Sequence, residues 1–318
     1  MQKKLIVYTL RRAAESFATF LAVITLNFFL IHVAPGDPAL IMAGEYATPE
    51  ILAATRARWG LDQPLYTQFY TYISGVFRGD LGFSLDFDRP VLEVIISKLP
   101  NTIVLVLPVM IIGLAFGVIL GAFSARHFDT KLDSVFQVVS LVFYSTPTFW
   151  LGLILLEVFA IGLRLFPLLG GGLVGGIPSI LWHLTLPICA LVAAWTTPIF
   201  MRLTRSSMLE VLKEDYITTS KAIGYPDSMI FYRHALRNAL LPSITMLGLL
   251  VGSIFSGVVL VETVFSWPGL GLLLLEAIHA RDYPLLMGMF TIIGIAVSIS
   301  MFVTDLVYTF LDPRISYR

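Results

Sequence analysis

The sequence predicts an all-α integral membrane protein with six transmembrane helices, and two observations lead to this fold class. Of the 318 residues, 57% are hydrophobic and only 13% are charged, whereas a soluble domain carries about 25% charged residues. Apolar runs of about 20 residues also recur along the chain, and each is long enough to cross a hydrocarbon core about 30 Å thick. The mean hydropathy is +0.85. Most of the surface is therefore expected to face lipid.

Six apolar segments account for the predicted spans. They cover residues 11–33, 102–124, 134–161, 180–203, 240–262 and 286–310. The first follows a basic N-terminus but lacks a small-x-small cleavage site, so it is interpreted as an uncleaved span and not as a signal peptide. Pro147 interrupts the third segment, and Pro187 and Pro198 predict kinks or short breaks in the fourth.

The distribution of basic residues predicts that both termini are cytoplasmic. Fourteen of the 21 Lys and Arg residues fall on the side of the N-terminus, and five of the other seven lie in one long loop. Short cytoplasmic loops carry an excess of Lys and Arg, and long loops count for little in this comparison. The formal net charge is zero, which gives no basic field for nucleic acid.

The connection between the first and second spans, residues 34–101, is predicted to be a large outer loop with a helix of its own. Thr48 can cap that helix, Pro49 suits its first position, and Gly60 can end it after Trp59. An outer loop of this size offers a docking surface for another protein.

The connection between the fourth and fifth spans, residues 204–239, is predicted to be cytoplasmic and to form two short helices. Asp215 places negative charge at the start of the first helix, Gly224 suits the left-handed position after its end, and Pro226 prevents continuation. Asp227 is then expected to cap the second helix. Spacing alone is equally compatible with a plain solvated connector.

This connection resembles the cytoplasmic signature loop of ABC importer permeases, in which Glu-Ala-Ala is followed three residues later by Gly. Thr218-Thr219-Ser220 occupy the Glu-Ala-Ala places and Gly224 the place of the glycine. The peptide branch of these permeases has its own version of the loop. The residues that match it are Asp215, Tyr216, Thr219, Ala222, Gly224, Arg233, His234, Leu236, Arg237, Asn238 and Ala239.

The resemblance extends over essentially the whole chain. Further family-like motifs occur in order at His32–Pro38, Trp59–Leu65, Gly79–Ser84, Glu262–Gly271, Arg281–Pro284 and Leu311–Arg314. The chain, residues 1–318, is thus identified as a single transmembrane domain of the dipeptide/oligopeptide/nickel permease family. The resemblance implies a multi-pass subunit of the bacterial or archaeal inner membrane, which imports dipeptides or oligopeptides. The alternatives are glutathione, a nickel complex or an oligosaccharide as substrate, or else a passive channel or ion-coupled carrier.

The resemblance also implies partners. They are a second, paralogous permease subunit, two ATPase subunits and an extracytoplasmic solute-binding protein. No G-x-x-x-x-G-K-[ST] phosphate loop occurs in the sequence, so ATP and Mg are expected on the ATPase subunits. This chain is expected to be no enzyme and to need no cofactor of its own.

Three groups of candidate site residues follow. The ATPase-coupling residues implied by the resemblance are Asp215, Tyr216, Thr218, Thr219, Ser220, Ala222, Gly224, Arg233, His234 and Arg237. Small residues at four-residue spacing allow close helix packing, within this chain or against a second permease. They are Gly113, Gly117 and Gly121 in the second span and Gly248, Gly252 and Ser256 in the fifth.

Acidic residues near the ends of spans form the third group. Glu157 is either paired at the interface or in contact with a substrate amine, and Glu262 is interpreted as a structural anchor for the last outer loop. The five histidines are scattered without paired spacing, so no metal site is predicted. The single cysteine, Cys189, excludes an intramolecular disulfide.

Overall fold

The computed structural model describes residues 2–33, 39–40 and 48–311, and it is almost entirely helical there. The helices are α1 (Gln2–Val33), α2 (Pro49–Trp59), α3 (Leu65–Arg78), α4 (Val91–Arg126), α5 (Lys131–Ser145), α6 (Thr148–Leu155), α7 (Gly176–Leu191), α8 (Thr197–Val211), α9 (Asp215–Ala222), α10 (Asp227–Met229), α11 (Leu236–Ala239), α12 (Leu241–Val264), α13 (Leu270–Ala280) and α14 (Tyr283–Leu311). π-Helical turns occupy Leu156–Gly162, Val192–Thr196 and Ile230–Ala235. The strands β1 (Phe83–Ser84) and β2 (Arg89–Pro90) pair antiparallel.

Several of the described helices are long and apolar enough to cross a membrane. Three qualify singly, over Val91–Arg126, Gly176–Val211 and Tyr283–Thr304, and the pair Lys131–Ser145 and Thr148–Gly162 qualifies as one span bent by 95°. The other two predicted spans coincide with α1 and α12. All six predicted segments are therefore helical, and the count of six crossings stays a prediction.

The chain divides into two compact units. One comprises Met1–Pro100 and Leu272–Phe302, and the other comprises Asn101–Gly271 and Val303–Arg318. In the first unit, α1, α3 and the start of α14 pack around a polar cluster. Asn27 Nδ2 donates to the Tyr72 hydroxyl at 3.2 Å and to the Met287 carbonyl at 3.1 Å, and Tyr72 bonds Thr291 at 2.7 Å.

The helix signals predicted within residues 34–101 are confirmed. Thr48 Oγ1 accepts from the Ile51 N–H at 3.4 Å, and Gly60 has φ +65° after Trp59. The prediction of a loop over the whole range is wrong, however. The range also contains α3 and the β-hairpin, and its last eleven residues, 91–101, are the first three turns of α4. Because Glu93 and Lys98 interrupt the apolar run, hydropathy alone set the start of that helix too late.

The predicted effects of the prolines are confirmed at one site and modified at the others. Thr146 is extended between α5 and α6, Pro147 takes the cap position before Thr148, and the two helices are bent by 95° relative to each other. Pro187 lies inside α7 without a break, and Pro198 lies in the first turn of α8. Between them the chain makes the π-helical turn Val192–Thr196. Each proline removes one helical hydrogen bond. The wider hydrogen-bond pattern of the π-turn compensates for this loss, so the segment stays continuous.

The second unit has one main hydrophobic core. Trp267, Phe200, Leu105, Leu184 and Leu191 are among its fully buried side chains. They come from α4, α7, α8 and the turn after α12, so residues far apart in sequence share one interior. A smaller hydrophobic cluster supports the 204–239 connection.

Candidate functional site

The candidate site is the 204–239 connection, hereafter the candidate coupling loop. Its first helix, α9, begins after Glu214, whose backbone is extended, and ends at Ala222. Gly224 has φ +92° and its N–H donates to the Lys221 carbonyl at 3.0 Å, which confirms the predicted left-handed ending. A Cβ at this position would contact nothing within 4 Å. The requirement for glycine is therefore one of backbone conformation alone.

Two details of the predicted loop are wrong. Asp227 is the first helical residue of α10, and the cap position belongs to Pro226, which provides no side-chain hydrogen bond. The proline ring itself fixes the extended entry into the turn (φ −64°, ψ 142°), so a capping side chain is not needed. In addition, α8 continues to Val211, so residues 204–211 are helical and the connection begins later than predicted.

The candidate coupling loop rests on a hydrophobic cluster at the ends of α4 and α8. Ile217 is 1% exposed and is the apolar residue that α9 buries. The other buried members of the cluster are Ala125, Met208, Ile230, Ala235 and Ala239. A short isolated helix is marginal in water, and burial of Ile217 supplies the tertiary support that α9 needs.

Polar and aromatic contacts add to this support. The Asn238 amide donates to the Tyr216 hydroxyl at 2.8 Å, which joins α9 to α11. Arg126, the last residue of α4, donates to the Tyr232 hydroxyl at 3.0 Å. The rings of Tyr225 and His234 lie 5.3 Å apart. The loop is thus tied to itself and to the end of a long helix.

An ion pair fixes the helices immediately behind the loop. Arg205 on α8 donates from Nε and Nη2 to the two carboxylate oxygens of Asp133 on α5, at 2.7 and 2.6 Å. The Ser124 hydroxyl donates to the same carboxylate at 2.5 Å. The Asp133 side chain is only 3% exposed. Sequence reasoning missed this pair, because its members stand 72 positions apart and share no motif.

The side of α9 away from the cluster is exposed. Asp215, Tyr216, Thr218, Thr219, Lys221 and Ala222 all lie there, and Arg233 and Arg237 are exposed on the second half of the loop. Ser220 is buried, and His234 is half-buried. Two exposed apolar side chains flank Gly224: Ile223 is 69% exposed and Tyr225 is 42% exposed. Sequence reasoning did not select these two residues, although large apolar side chains beside a helix-ending glycine are a usable signal for a contact surface.

The predicted helix-packing glycines of the second span lie against α8 and the π-turn before it. A Cβ on Gly117 would come within 2.9 Å of the Met201 nitrogen, and one on Gly121 within 2.5 Å of the Met201 carbonyl oxygen. Gly113 faces Thr196, and Gly248 on α12 faces Thr304 on α14. These contacts are all within the chain. Gly252 and Ser256 also lie in α12, but the packing around them is outside what the structure describes.

Glu157 lies on the exposed side of the π-turn Leu156–Gly162. It borders a shallow groove that is otherwise apolar, between Trp150, Ile154 and Leu168. π-Turns occur frequently at functional positions. A carboxylate near the end of a span is compatible with the membrane interface, a partner or an aqueous pathway.

Glu262 anchors the turn after α12, as predicted. Its carboxylate accepts from the Thr102 hydroxyl and from the Gly271 N–H, both at 2.7 Å, and it is fully buried. The indole N–H of Trp267 donates to the Asn101 carbonyl at 2.9 Å. This buried corner closes the end of the second unit remote from α9 along the helices. Within the described ranges, no cluster of three or more metal-ligating side chains occurs.

The described residues thus have the architecture of a multi-span helical membrane protein, with the exposed short helix α9 held at the ends of α4 and α8. Comparisons with known proteins agree. The family model described as "Binding-protein-dependent transport system inner membrane component" matches residues 117–317, and its N-terminal companion matches residues 5–106. The chain belongs to this family. It is a membrane component of a binding-protein-dependent transporter and a transport subunit.

Curated relatives cover nearly the full length. The probable D,D-dipeptide transport system permease protein DdpB of Escherichia coli K12 is 40% identical over 92% of this chain and 92% of its own length. The oligopeptide transport system permease protein AppB of Bacillus subtilis and the glutathione transport system permease protein GsiC of Salmonella choleraesuis are each 36% identical over 98% of this chain and 99% of theirs.

Proposed function

We propose that this chain is one of two permease subunits in an ATP-driven importer of dipeptides or oligopeptides. The observation that carries the proposal is α9, a short helix held by the burial of Ile217 and by the hydrogen bond from Asn238 to Tyr216, while most of its other residues are exposed. A helix that must pass motion from an ATPase to the membrane cannot bend independently of the spans behind it. The burial of Ile217 and the ties to Asn238 and Arg126 provide that stiffness.

The proposed arrangement has six spans and both termini in the cytoplasm of a bacterial or archaeal cell. The candidate coupling loop then faces the cytoplasm, where the exposed Ile223 and Tyr225 meet an ATPase subunit. Two ATPase subunits hold ATP and Mg, and this chain needs no cofactor of its own. The connection that precedes α4, residues 34–90, lies on the outer side, where a solute-binding protein docks.

Peptides are proposed as substrates because relatives of similar identity carry dipeptide, oligopeptide and glutathione names. All three are peptide-like, with a free carboxylate and an amine. Glu157 is proposed to contact the amine, since it is a charged side chain on an otherwise apolar groove. Glutathione is the second candidate, on the strength of the GsiC relatives. A nickel complex or an oligosaccharide has no support from the relatives named here.

The test is ATP-dependent uptake in cells with and without the gene. The panel contains di-, tri- and pentapeptides, glutathione, nickel and a short oligosaccharide. Loss of peptide uptake on deletion is the expected result. Loss of glutathione uptake alone would replace peptides with glutathione, and uptake that survives ATP depletion would contradict the ATP-driven assignment.

A matched pair of variants tests the coupling role of α9. Gly224 and Gly176 both have positive φ (+92° and +83°), and an added Cβ would contact nothing within 4 Å at Gly224 and only the Pro178 Cδ, at 4.0 Å, at Gly176. Alanine therefore imposes a similar backbone cost at both, about 1 kcal/mol. Gly224→Ala is expected to lower the ATPase activity stimulated by the loaded binding protein, whereas Gly176→Ala is expected to leave it near the wild-type level. Equal effects would contradict a special role for α9.

A further inference from the structure

Arg202 and Tyr144 form a cation–π contact on the surface of the second unit. The guanidinium carbon of Arg202 on α8 lies 4.2 Å from the centroid of the Tyr144 ring on α5. Both side chains are exposed, Tyr144 by 46%. The other cation–π contacts of the described residues are longer, at 5.6 to 5.9 Å. The ring fixes the position of a guanidinium that remains accessible.

The guanidinium points into the predicted membrane span and away from the candidate coupling loop. Asp133, which binds Arg205, is eleven positions before Tyr144 on α5, and eleven residues of α-helix rise about 16 Å. Arg202 is only three residues before Arg205 on α8. Its side chain nevertheless contacts Tyr144, which lies eleven residues beyond the Asp133 that binds Arg205. Side chains on a helix lean toward its N-terminus, which on α8 is the direction of the membrane interior. Arg202 therefore does not extend toward the near interface.

The surroundings of Arg202 give the charge no partner of opposite sign within the described residues. The salt bridges found there involve Arg11, Arg12 and Arg205, and none involves Arg202. The exposed α5 residues that precede Tyr144 are Leu141, at 53%, Val142, at 59%, and Phe143, and the exposed residue that follows it is the polar Ser145. A cation in lipid among such residues is costly, and ionisable residues in spans usually face water-filled cavities or the interior of a helix bundle. An exposed Arg202 therefore fits a face that meets water and not lipid.

We propose that Arg202 is a specificity-determining residue that binds the terminal carboxylate of the transported peptide on the cytoplasmic half of the pathway. This inference rests on the proposed function, because it requires a peptide as substrate. The planar guanidinium can pair with a carboxylate through two parallel hydrogen bonds. Tyr144 covers one face of the guanidinium and leaves its edge, which carries the N–H donors, available.

The test compares a dipeptide with its C-terminal amide. The complete transporter is reconstituted in proteoliposomes with saturating binding protein, and the initial ATP-dependent uptake of each compound is measured. The ratio of the two rates is compared between wild type and Arg202→Gln. Any preference of the binding protein is common to both transporters and cancels in this comparison. The dipeptide advantage is expected to fall on the order of 10-fold in Arg202→Gln, as the loss of a charged hydrogen bond would give.

Matched variants separate a specific role from a structural one. Tyr144→Phe keeps the ring and is expected to keep the ratio, whereas Tyr144→Leu removes the ring and is expected to lower it. Should Arg202→Gln fail to assemble, Arg202→Lys is judged by the same ratio, with an intermediate value expected. An equal loss of both compounds in the variants would overturn the inference and indicate a structural or subunit contact. Wild-type transporter that imports neither compound would instead overturn the proposed peptide function.

Discussion

Asp133 and Arg205 form a two-bond ion pair, at 2.7 and 2.6 Å, between the start of α5 and the middle of α8. The pair lies directly behind the candidate coupling loop, and Phe128 packs near the Arg205 guanidinium at 5.6 Å. The pair therefore fixes α5, the first arm of the span that bends at Pro147, against α8.

Asp133→Ala is expected to destabilise the protein by about 3 kcal/mol, because it leaves a largely buried guanidinium unpaired. Thermal unfolding in detergent measures this change. The control is Glu15→Gln, which breaks the exposed contacts with Arg11 and Arg12 and is expected to shift the midpoint far less. A double variant, Asp133→Leu with Arg205→Met, is expected to recover most of the stability. If the single and double variants unfold alike, the pair does not act as a unit.

Gly117→Ala is expected to destabilise the packing of α4 on α8 by about 1 to 3 kcal/mol. The added methyl group would lie 2.9 Å from the Met201 nitrogen and 3.0 Å from the Thr197 carbonyl oxygen, and backbone atoms cannot move aside easily. Ala115→Val, on the exposed side of the same helix, is the control. Equal unfolding midpoints for the two variants would argue against this close approach.

Glu262→Ala is expected to destabilise the buried corner by about 2 kcal/mol or more, because the Thr102 hydroxyl and the Gly271 N–H lose their acceptor. Glu262→Gln keeps one acceptor oxygen and is expected to cost less. Amide hydrogen exchange at Leu270 and Gly271 measures the local effect. Unchanged protection in Glu262→Ala would contradict the anchoring role.

Ile223→Ser is expected to weaken retention of the ATPase subunit when the transporter is purified through this chain. Ile223 is 69% exposed beside Gly224, and an apolar contact of this size is lost on substitution by serine. Ile177→Ser is the matched control, because Ile177 is also an isoleucine and is 73% exposed at the start of α7. The ATPase-to-permease ratio in the purified complex is the measurement. A similar ratio in both variants would place the ATPase contact elsewhere.

Local signals in the sequence predicted local structure well. Thr48, Pro49 and Gly60 specify α2 within a few residues, and Gly224 specifies the end of α9 in the same way. Each of these depends on backbone conformation or on a hydrogen bond between near neighbours. The failure at Asp227 has a local cause too, because Pro226 fixes the turn entry without a side-chain cap.

Contacts between distant segments could not be predicted from one sequence. Nothing in the spacing of Asp133 and Arg205 indicates that they meet, and the same holds for Tyr144 and Arg202. The predicted start of α4 falls too far along the sequence, because hydropathy indicates which residues lie in the hydrocarbon core and not where a helix begins. The glycines of α4 predicted close packing, but the sequence left open whether the neighbour was α8 or another subunit.

The corner at Glu262 has a consequence for the biogenesis of the chain. Thr102 and Glu262 are separated by 160 positions, and Thr102 also accepts from the Leu270 N–H, 168 positions away. A ribosome therefore delivers Thr102 to the membrane long before either partner has been synthesised. Contacts of such sequence separation form late and slowly, so α4 inserts early while the buried corner that secures it closes only near the end of translation.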